Sequence, residues 1–321
     1  MNILIVKLSS LGDVVHTMPA VQDILAAIPD ARIDWVLERG FAPLVQRCAG
    51  VRRVIPCELR KWSKTPLARA TRAEWRAFRH ELQNEAYDAV IDLQGLTKSA
   101  LIAHVAKLAP GGRRFGMANR TEGSSYEAPT RWVADTAIAV EPRSHAVQRS
   151  RDVCASALAY PLRAQTDYGL GTPAGPGANC VVLVHGTSRN DKCWPEAHWV
   201  ELGRRLVASG LSVALPHGSD EERARSERLA QSIGPEAEVW PRLSLEALTD
   251  RMGRCAGAIG VDSGLSHIAV ALDLPHVQVY NFDTAWRTGP VGAGRQRAVF
   301  AQPTPAVDSV WQAWSAVRGH A

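Results

Sequence analysis

Residues 2–25, NILIVKLSSLGDVVHTMPAVQDIL, read as a strand, a polar turn and a helix in immediate succession. Residues 2–6 form a short apolar run rich in β-branched side chains, which suits a buried strand. After the turn, Val14, Val15, Met18, Val21, Ile24 and Leu25 return at helical spacing. The same alternation continues downstream, with strands expected at 32–37, 53–56 and 89–93 and a helix at 72–85. Strands that alternate with helices argue for a doubly wound parallel sheet.

Residues 168–179, YGLGTPAGPGAN, are dense in Gly and Pro and mark a linker. Beyond them the pattern restarts. Strands are expected at 180–184, 211–215, 256–261 and 276–280, and helices at 195–209, 221–233 and 263–272. Pro195 stands where a first helical residue can lack its N–H, and Gly210 where a helix should stop. A chain of 321 residues is long for one core. The reading is therefore two α/β domains, 1–167 and 180–321, joined by the linker, with ligands expected in the cleft between them.

Composition bounds the function. The chain is 46% hydrophobic and 21% charged, as ordinary soluble globular proteins are. Its six cysteines are scattered without a Cys-x-x-Cys pair, which fits a reducing compartment and argues against a zinc site or disulfide framework. The opening apolar run is too short for a signal peptide, and no stretch approaches a membrane span. A cytoplasmic location follows as the expectation, at most with peripheral contact to a membrane. The net charge of +5 is uneven: residues 1–165 hold 23 Lys+Arg against 16 Asp+Glu, and residues 166–321 hold 14 against 16. A basic first half fits an acidic partner, either nucleic acid or an anionic lipid or glycolipid, and it equally fits a merely soluble basic surface.

The turn at 9–13 lacks a dinucleotide-binding glycine pattern, and no Gly-Lys-Ser/Thr occurs anywhere. What the turn offers is Asp13, a carboxylate at the carboxyl end of the first strand, where open α/β sheets place ligands. Such a group can act as a general base. Ser10-x-x-Asp13 is also a capping box for the following helix, and spacing leaves both readings open. In the second half, His185-Gly186-Thr187-Ser188-Arg189-Asn190-Asp191-Lys192 follows a strand with hydroxyls, a glycine and a lysine suited to phosphate oxygens; a solvated loop is the alternative. Val261-Asp262-Ser263-Gly264-Leu265-Ser266-His267 opens a helix, whose N-terminus favours anions. Asp262 would serve there as a helix cap or as an acceptor for a sugar hydroxyl, and His267 reads equally as a core histidine. Arg60-Lys61-Trp62-Ser63-Lys64, with Arg52 and Arg53, is the densest basic cluster. Trp62 there is a candidate for stacking on a ring, against the reading of a solvated charged face. Trp194, Trp199, Trp311 and Trp314 read as packing residues.

Taken together, these segments resemble the bacterial lipopolysaccharide heptosyltransferases. The resemblance is carried by Lys7-Leu8-Ser9-Ser10-Leu11-Gly12-Asp13, Arg60-Lys61-Trp62-x-Lys64 and Tyr87-Asp88-Ala89-Val90-Ile91-Asp92-Leu93-Gln94-Gly95. It continues through Asp191-Lys192-x-Trp194-Pro195-Glu196-x-His198-Trp199 and residues 261–267. The opening is more like type I members than type II. The resemblance implies a GT-B architecture, two Rossmann-like domains facing across a cleft, with acceptor bound by the first and donor by the second. It implies inverting transfer of heptose from ADP-L-glycero-D-manno-heptose to the inner Kdo of Kdo2-lipid A at the cytoplasmic face of the inner membrane. No metal or other cofactor is implied, and no nucleic acid. By position, Asp13 maps to the catalytic base. Thr187, Ser188, Lys192, Glu222, Leu243, Asp262, Ser263, Gly264 and His267 map to donor contacts, with Glu222 on the ribose hydroxyls. Ser10, Arg60, Lys61, Lys64 and Arg120 map to acceptor contacts. The alternatives are a type II or III enzyme with another core acceptor, or a non-catalytic basic protein that binds anionic glycolipid.

Overall fold

In the computed structural model, which describes residues 1–171, 178–292 and 294–319, two parallel sheets of six strands each organise the chain. The first contains β1 (Asn2–Val6), β2 (Arg32–Glu38), β3 (Val51–Cys57), β4 (Tyr87–Asp92), β5 (Leu108–Met117) and β6 (Thr136–Ile138). The second contains β7 (Ala178–Val184), β8 (Ser212–Leu215), β9 (Ala237–Val239), β10 (Cys255–Val261), β11 (His276–Tyr280) and β12 (Gln296–Phe300). Their orders, β3-β2-β1-β4-β5-β6 and β9-β8-β7-β10-β11-β12, are the same Rossmann order met twice. In each sheet the strand order reverses between two central strands, β1 and β4 or β7 and β10. The loops leaving those strands are where a doubly wound sheet receives its ligand.

The chain divides into two compact units, Met1–Gly169 and Leu170–Ala321. Of the linker expected at 168–179, residues 172–177 lie outside the described residues, and β7 already begins at Ala178. Each unit has its own core. Leu4, Val6, Val36, Tyr87 and Val90 anchor the first; Trp194, Trp199, Leu202 and Trp314 anchor the second. Trp199 is fully buried, so Trp199→Ala would cost about 3–5 kcal/mol through the cavity left behind.

Three local expectations are corrected. The helix expected after the first turn is two helices, Leu11–Val15 and Met18–Ala27. Pro19 explains the break, since it has no N–H to donate and its ring excludes the carbonyl four residues back. Pro195 is the N-cap of helix Glu196–Ala208 with ψ 139°, not its first helical residue. Arg52 and Arg53 do not join a surface basic cluster. Both point at the fully buried Asp34, at 2.8 and 3.2 Å, where they neutralise a carboxylate that would otherwise be stranded. The wider spacing of the cysteines also hides one contact, because β7 and β10 bring the Cys180 and Cys255 sulfurs to 2.9 Å.

Candidate active site

In the first unit the switch point is built from the loop after β1 and the loop after β4. The β4 loop is shaped by Asp92, whose Oδ1 accepts from the N–H groups of Gln94 (2.9 Å) and Gly95 (3.2 Å) and whose Oδ2 accepts from Ser99 Oγ (2.9 Å). Gln94 Oε1 in turn accepts the N–H groups of Leu8 and Ser9, both at 3.1 Å, tying the two loops together. Lys7 is buried between them and donates to Leu93 O at 3.0 Å.

This frame holds Asp13. Its Oδ2 accepts from Ser10 N and Ser10 Oγ, both at 3.0 Å. Its Oδ1 lies 3.6 Å from Lys7 Nζ and 3.9 Å from Arg149 Nη2, while about a third (35%) of the side chain stays exposed. Arg149 is itself oriented by a bond to Thr121 Oγ1 at 2.9 Å. Burial pushes the Asp13 pKa up, but the Lys7 charge, the Ser10 N–H, Arg149 and the Ser10 hydroxyl together bring it below the usual carboxylate value. Asp13 is thus an ionised, partly open carboxylate that also caps the turn: the capping contacts are made, and they leave the carboxylate accessible. Burial pushes Asp92 the other way, to about 6, against the counter-pull of the Gln94 and Gly95 N–H groups, Ser99 and Lys7.

The second switch point centres on Asp262, at the end of β10. Its Oδ2 meets Lys192 Nζ at 2.5 Å, and its Oδ1 lies 3.4 Å from His267 Nε2, 3.3 Å from Thr288 Oγ1 and 3.4 Å from Gln278 Nε2. Thr187 Oγ1 donates to the Asp262 carbonyl at 3.1 Å. Although burial raises its pKa, His267 and Lys192 hold the carboxyl far below the ordinary range. Asp262 is therefore not the helix cap. Ser263 occupies the N-cap position of Gly264–Ala271, and its shielded Oγ has no hydrogen-bond partner. The close packing needs Gly260, where an added Cβ would stand 2.4 Å from Ser266 Oγ and 2.7 Å from Val184 Cβ. Gly186 does the same for Glu222, whose Oε1 would be 2.4 Å from a Cβ there; Glu222 Oε2 accepts from Gly218 N at 2.7 Å.

The structure thus brings Thr187, Lys192, Asp262, Ser263, Gly264 and His267 together and sets Glu222 beside the turn after β7. Ser188 is exposed on that turn, and Leu243 is half-buried in the loop after β9. Ser10 donates both its N–H and its hydroxyl to Asp13. The cluster at 60–64 follows the edge strand β3, with Arg60 and Lys64 exposed and Lys61 paired to Glu74 at 2.7 Å. Trp62 cannot stack on a ligand ring. It is buried against Trp75 and Phe78, and its indole N–H donates to Glu74 at 2.8 Å. Arg120 is exposed in the loop after β5. Sequence reasoning missed Lys7, Asp92 and Arg149 in the first unit and Gln278 and Thr288 in the second. Lys7 and Asp92 at least lay inside quoted motifs; no local signal marks Arg149. Among the described residues no three His, Cys, Asp or Glu side chains are grouped to hold a metal ion, and no helix is long and apolar enough to cross a membrane.

Residues 75–309 match the model of glycosyltransferase family 9 (heptosyltransferase). Lipopolysaccharide heptosyltransferase 1 of Pseudomonas aeruginosa is 41% identical over 303 residues, 91% of this chain and 82% of its own length. The Escherichia coli heptosyltransferase WaaC with ADP superposes with a TM-score of 0.88 at 36% identity, covering 97% of this chain and 98% of that one. The same enzyme with ADP-2-deoxy-2-fluoro heptose gives a TM-score of 0.85 at the same identity and coverage.

Proposed function

The chain belongs to glycosyltransferase family 9 as a glycosyltransferase of the heptosyltransferase I type, and from that premise we propose that it moves L-glycero-D-manno-heptose from ADP-heptose to the inner Kdo of Kdo2-lipid A. The observation that carries the mechanism is Asp13, ionised and partly exposed at the first switch point. Its carboxylate takes the proton of a Kdo hydroxyl as that oxygen bonds to the anomeric carbon of heptose. The bond from that carbon to the diphosphate oxygen breaks on the opposite face, so the configuration inverts and ADP leaves. Lys7 and Arg149 keep Asp13 charged and aimed between turnovers.

The second unit receives the donor. Lys192, the unpartnered Ser263 hydroxyl and the N–H groups that open helix Gly264–Ala271 are suited to the diphosphate, where negative charge grows. Asp262 and His267 fix Lys192 for that contact, and Glu222 takes the ribose hydroxyls. The leaving group is neutralised by protein rather than by a metal ion in this reading. Arg60, Lys61 and Lys64, with Arg120, face the acceptor's anionic groups, and the enzyme works at the cytoplasmic face of a membrane.

Incubation with ADP-heptose and Kdo2-lipid A, followed by mass analysis, tests the reading. Wild type yields a heptosylated product, and Asp13→Ala loses at least roughly 100-fold in rate, the usual scale for a general base. Near-normal turnover in that variant removes Asp13 from the mechanism.

A further inference from the structure

Beside the acceptor cluster, with which it shares Arg60, the first unit has an open groove of about 870 Å³. Its lining combines two kinds of residue. Leu59, Pro66, Trp75 and Leu101 supply apolar surface. Arg60, Arg69, Arg72, Arg76 and Lys98 supply five positive charges around it. Unlike Lys61, which is held by Glu74 at 2.7 Å, none of these five is in an ion pair among the described residues.

The groove has a physical origin. Helix Arg69–Gln83 buries Thr71, Phe78 and Leu82 against the sheet and turns its arginines outward. Helix Thr97–Val105 buries Ser99, Ala100, Ile102 and Ala103 and leaves Leu101 47% exposed. Around the groove the apolar exposure continues. Leu67, next to Pro66 on the rim, is 83% exposed. Trp132, on helix Thr130–Val133 that packs against Thr97–Val105, is 76% exposed. Exposed Leu and Trp beside unpaired Arg is an arrangement that water penalises at one half and rewards at the other. Nucleic acid would satisfy the charges but gain nothing from the leucines, whereas an anionic lipid satisfies both.

We propose that this groove is the membrane-docking surface of the enzyme, taking an acyl chain of an anionic phospholipid between Trp75 and Leu101 with the lipid phosphate on Arg72 and Arg76. The choice of a bilayer over a soluble amphiphile rests on the membrane-facing acceptor reading above, and the shared residue Arg60 makes the docking surface continuous with the acceptor cluster. Trp75 is half-buried at the groove and serves as its reporter.

The full chain is mixed with phosphatidylcholine vesicles, with or without phosphatidylglycerol, some carrying bromine on the acyl chains. Binding is expected only with phosphatidylglycerol, and brominated chains should quench a fluorescence component that Trp75→Phe removes. The doubly reversed Arg72→Glu, Arg76→Glu chain should bind about thirtyfold more weakly or worse, on the scale of one basic residue per roughly fivefold at an anionic surface. Leu101→Gln should keep the charge-driven binding and lose most of the quenching. Because these side chains are exposed or line an open groove, unfolding is checked by an unchanged far-UV spectrum and thermal midpoint. Equal binding to neutral vesicles, or quenching that survives Trp75→Phe and traces instead to Trp132, overturns the groove. Heptosyl transfer to a deacylated, water-soluble acceptor is measured in parallel. If the variants retain it while lipid binding fails to follow the pattern, the docking surface falls and the activity stands. If wild type binds lipid as expected but transfers nothing, the reverse holds.

Discussion

The two switch points are built alike and tuned apart. Both follow the central strands of a sheet of the same order, and both set a lysine against an aspartate. At the first, Lys7 and Asp13 stand 3.6 Å apart, with the lysine buried and the carboxylate a third exposed. At the second, Lys192 and Asp262 are in contact at 2.5 Å, with the carboxylate buried and the lysine 20% exposed. The exposed member of each pair is the one free to meet a substrate. In the mechanism proposed above, burying the lysine leaves a carboxylate for proton transfer, and burying the carboxylate leaves a lysine for phosphate. One fold thereby exposes a carboxylate at one switch point and a lysine at the other from the same two residue types.

That contrast can be broken in several ways. The largest effect is expected on stability. Asp13→Ala leaves the buried Lys7 charge without its carboxylate and should destabilise the first unit by about 3–5 kcal/mol, measured by denaturant unfolding. Asp262→Ala leaves behind a Lys192 charge that water can reach and strands only the polar groups of His267, Thr288 and Gln278, so it should cost less, about 1–3 kcal/mol. Equal losses would erase the distinction. Next comes Lys192→Ala, which should raise KM for ADP-heptose roughly 10- to 100-fold, the range for losing a charged hydrogen bond. Unaltered donor affinity would free Lys192 of its role.

The smallest effect concerns pH. Asp13 sits below the ordinary carboxylate range, so it stays ionised as pH falls and its stabilising ion pairs are lost only below that range. Asp92 sits at about 6, above its unfolded value of 3.8, so the folded state binds more protons between those values. Its contribution to stability therefore declines as pH rises from about 4 to 6. Below about 6 its protonation weakens the hold on Gln94 and Gly95, and kcat/KM should fall on that side. Asp92→Asn should abolish this limb; a limb that stays near 6 would belong to another group.

Much of this was legible in the chain. Residues 2–6, 89–93 and 276–280 announced their strands because buried parallel strands are continuous apolar runs. β5 was missed because its ten residues, LAPGGRRFGM, carry Pro, Gly and Arg rather than such a run. β9 and β12, at the far edges of the second sheet, are short or half-exposed for the same reason. Of the sites, residues on the loops after β1, β7 and β10 could be found by position alone. Arg149 could not, since it reaches Asp13 from a helix 136 residues away in the chain. The pairing of Lys192 with Asp262 was hidden similarly, because sequence set Lys192 toward phosphate and Asp262 toward a helix cap or a sugar hydroxyl, and only folding makes one the holder of the other.

The most direct test is the single-turnover rate of Asp13→Asn, with ADP affinity measured by calorimetry on the same preparation. The amide preserves the size of the side chain but cannot accept a proton. If Asp13 is the base, the rate falls by at least roughly 100-fold while the ADP Kd stays within about threefold of wild type. A rate within a few-fold of wild type, or an ADP affinity that falls in step with the rate, would contradict it.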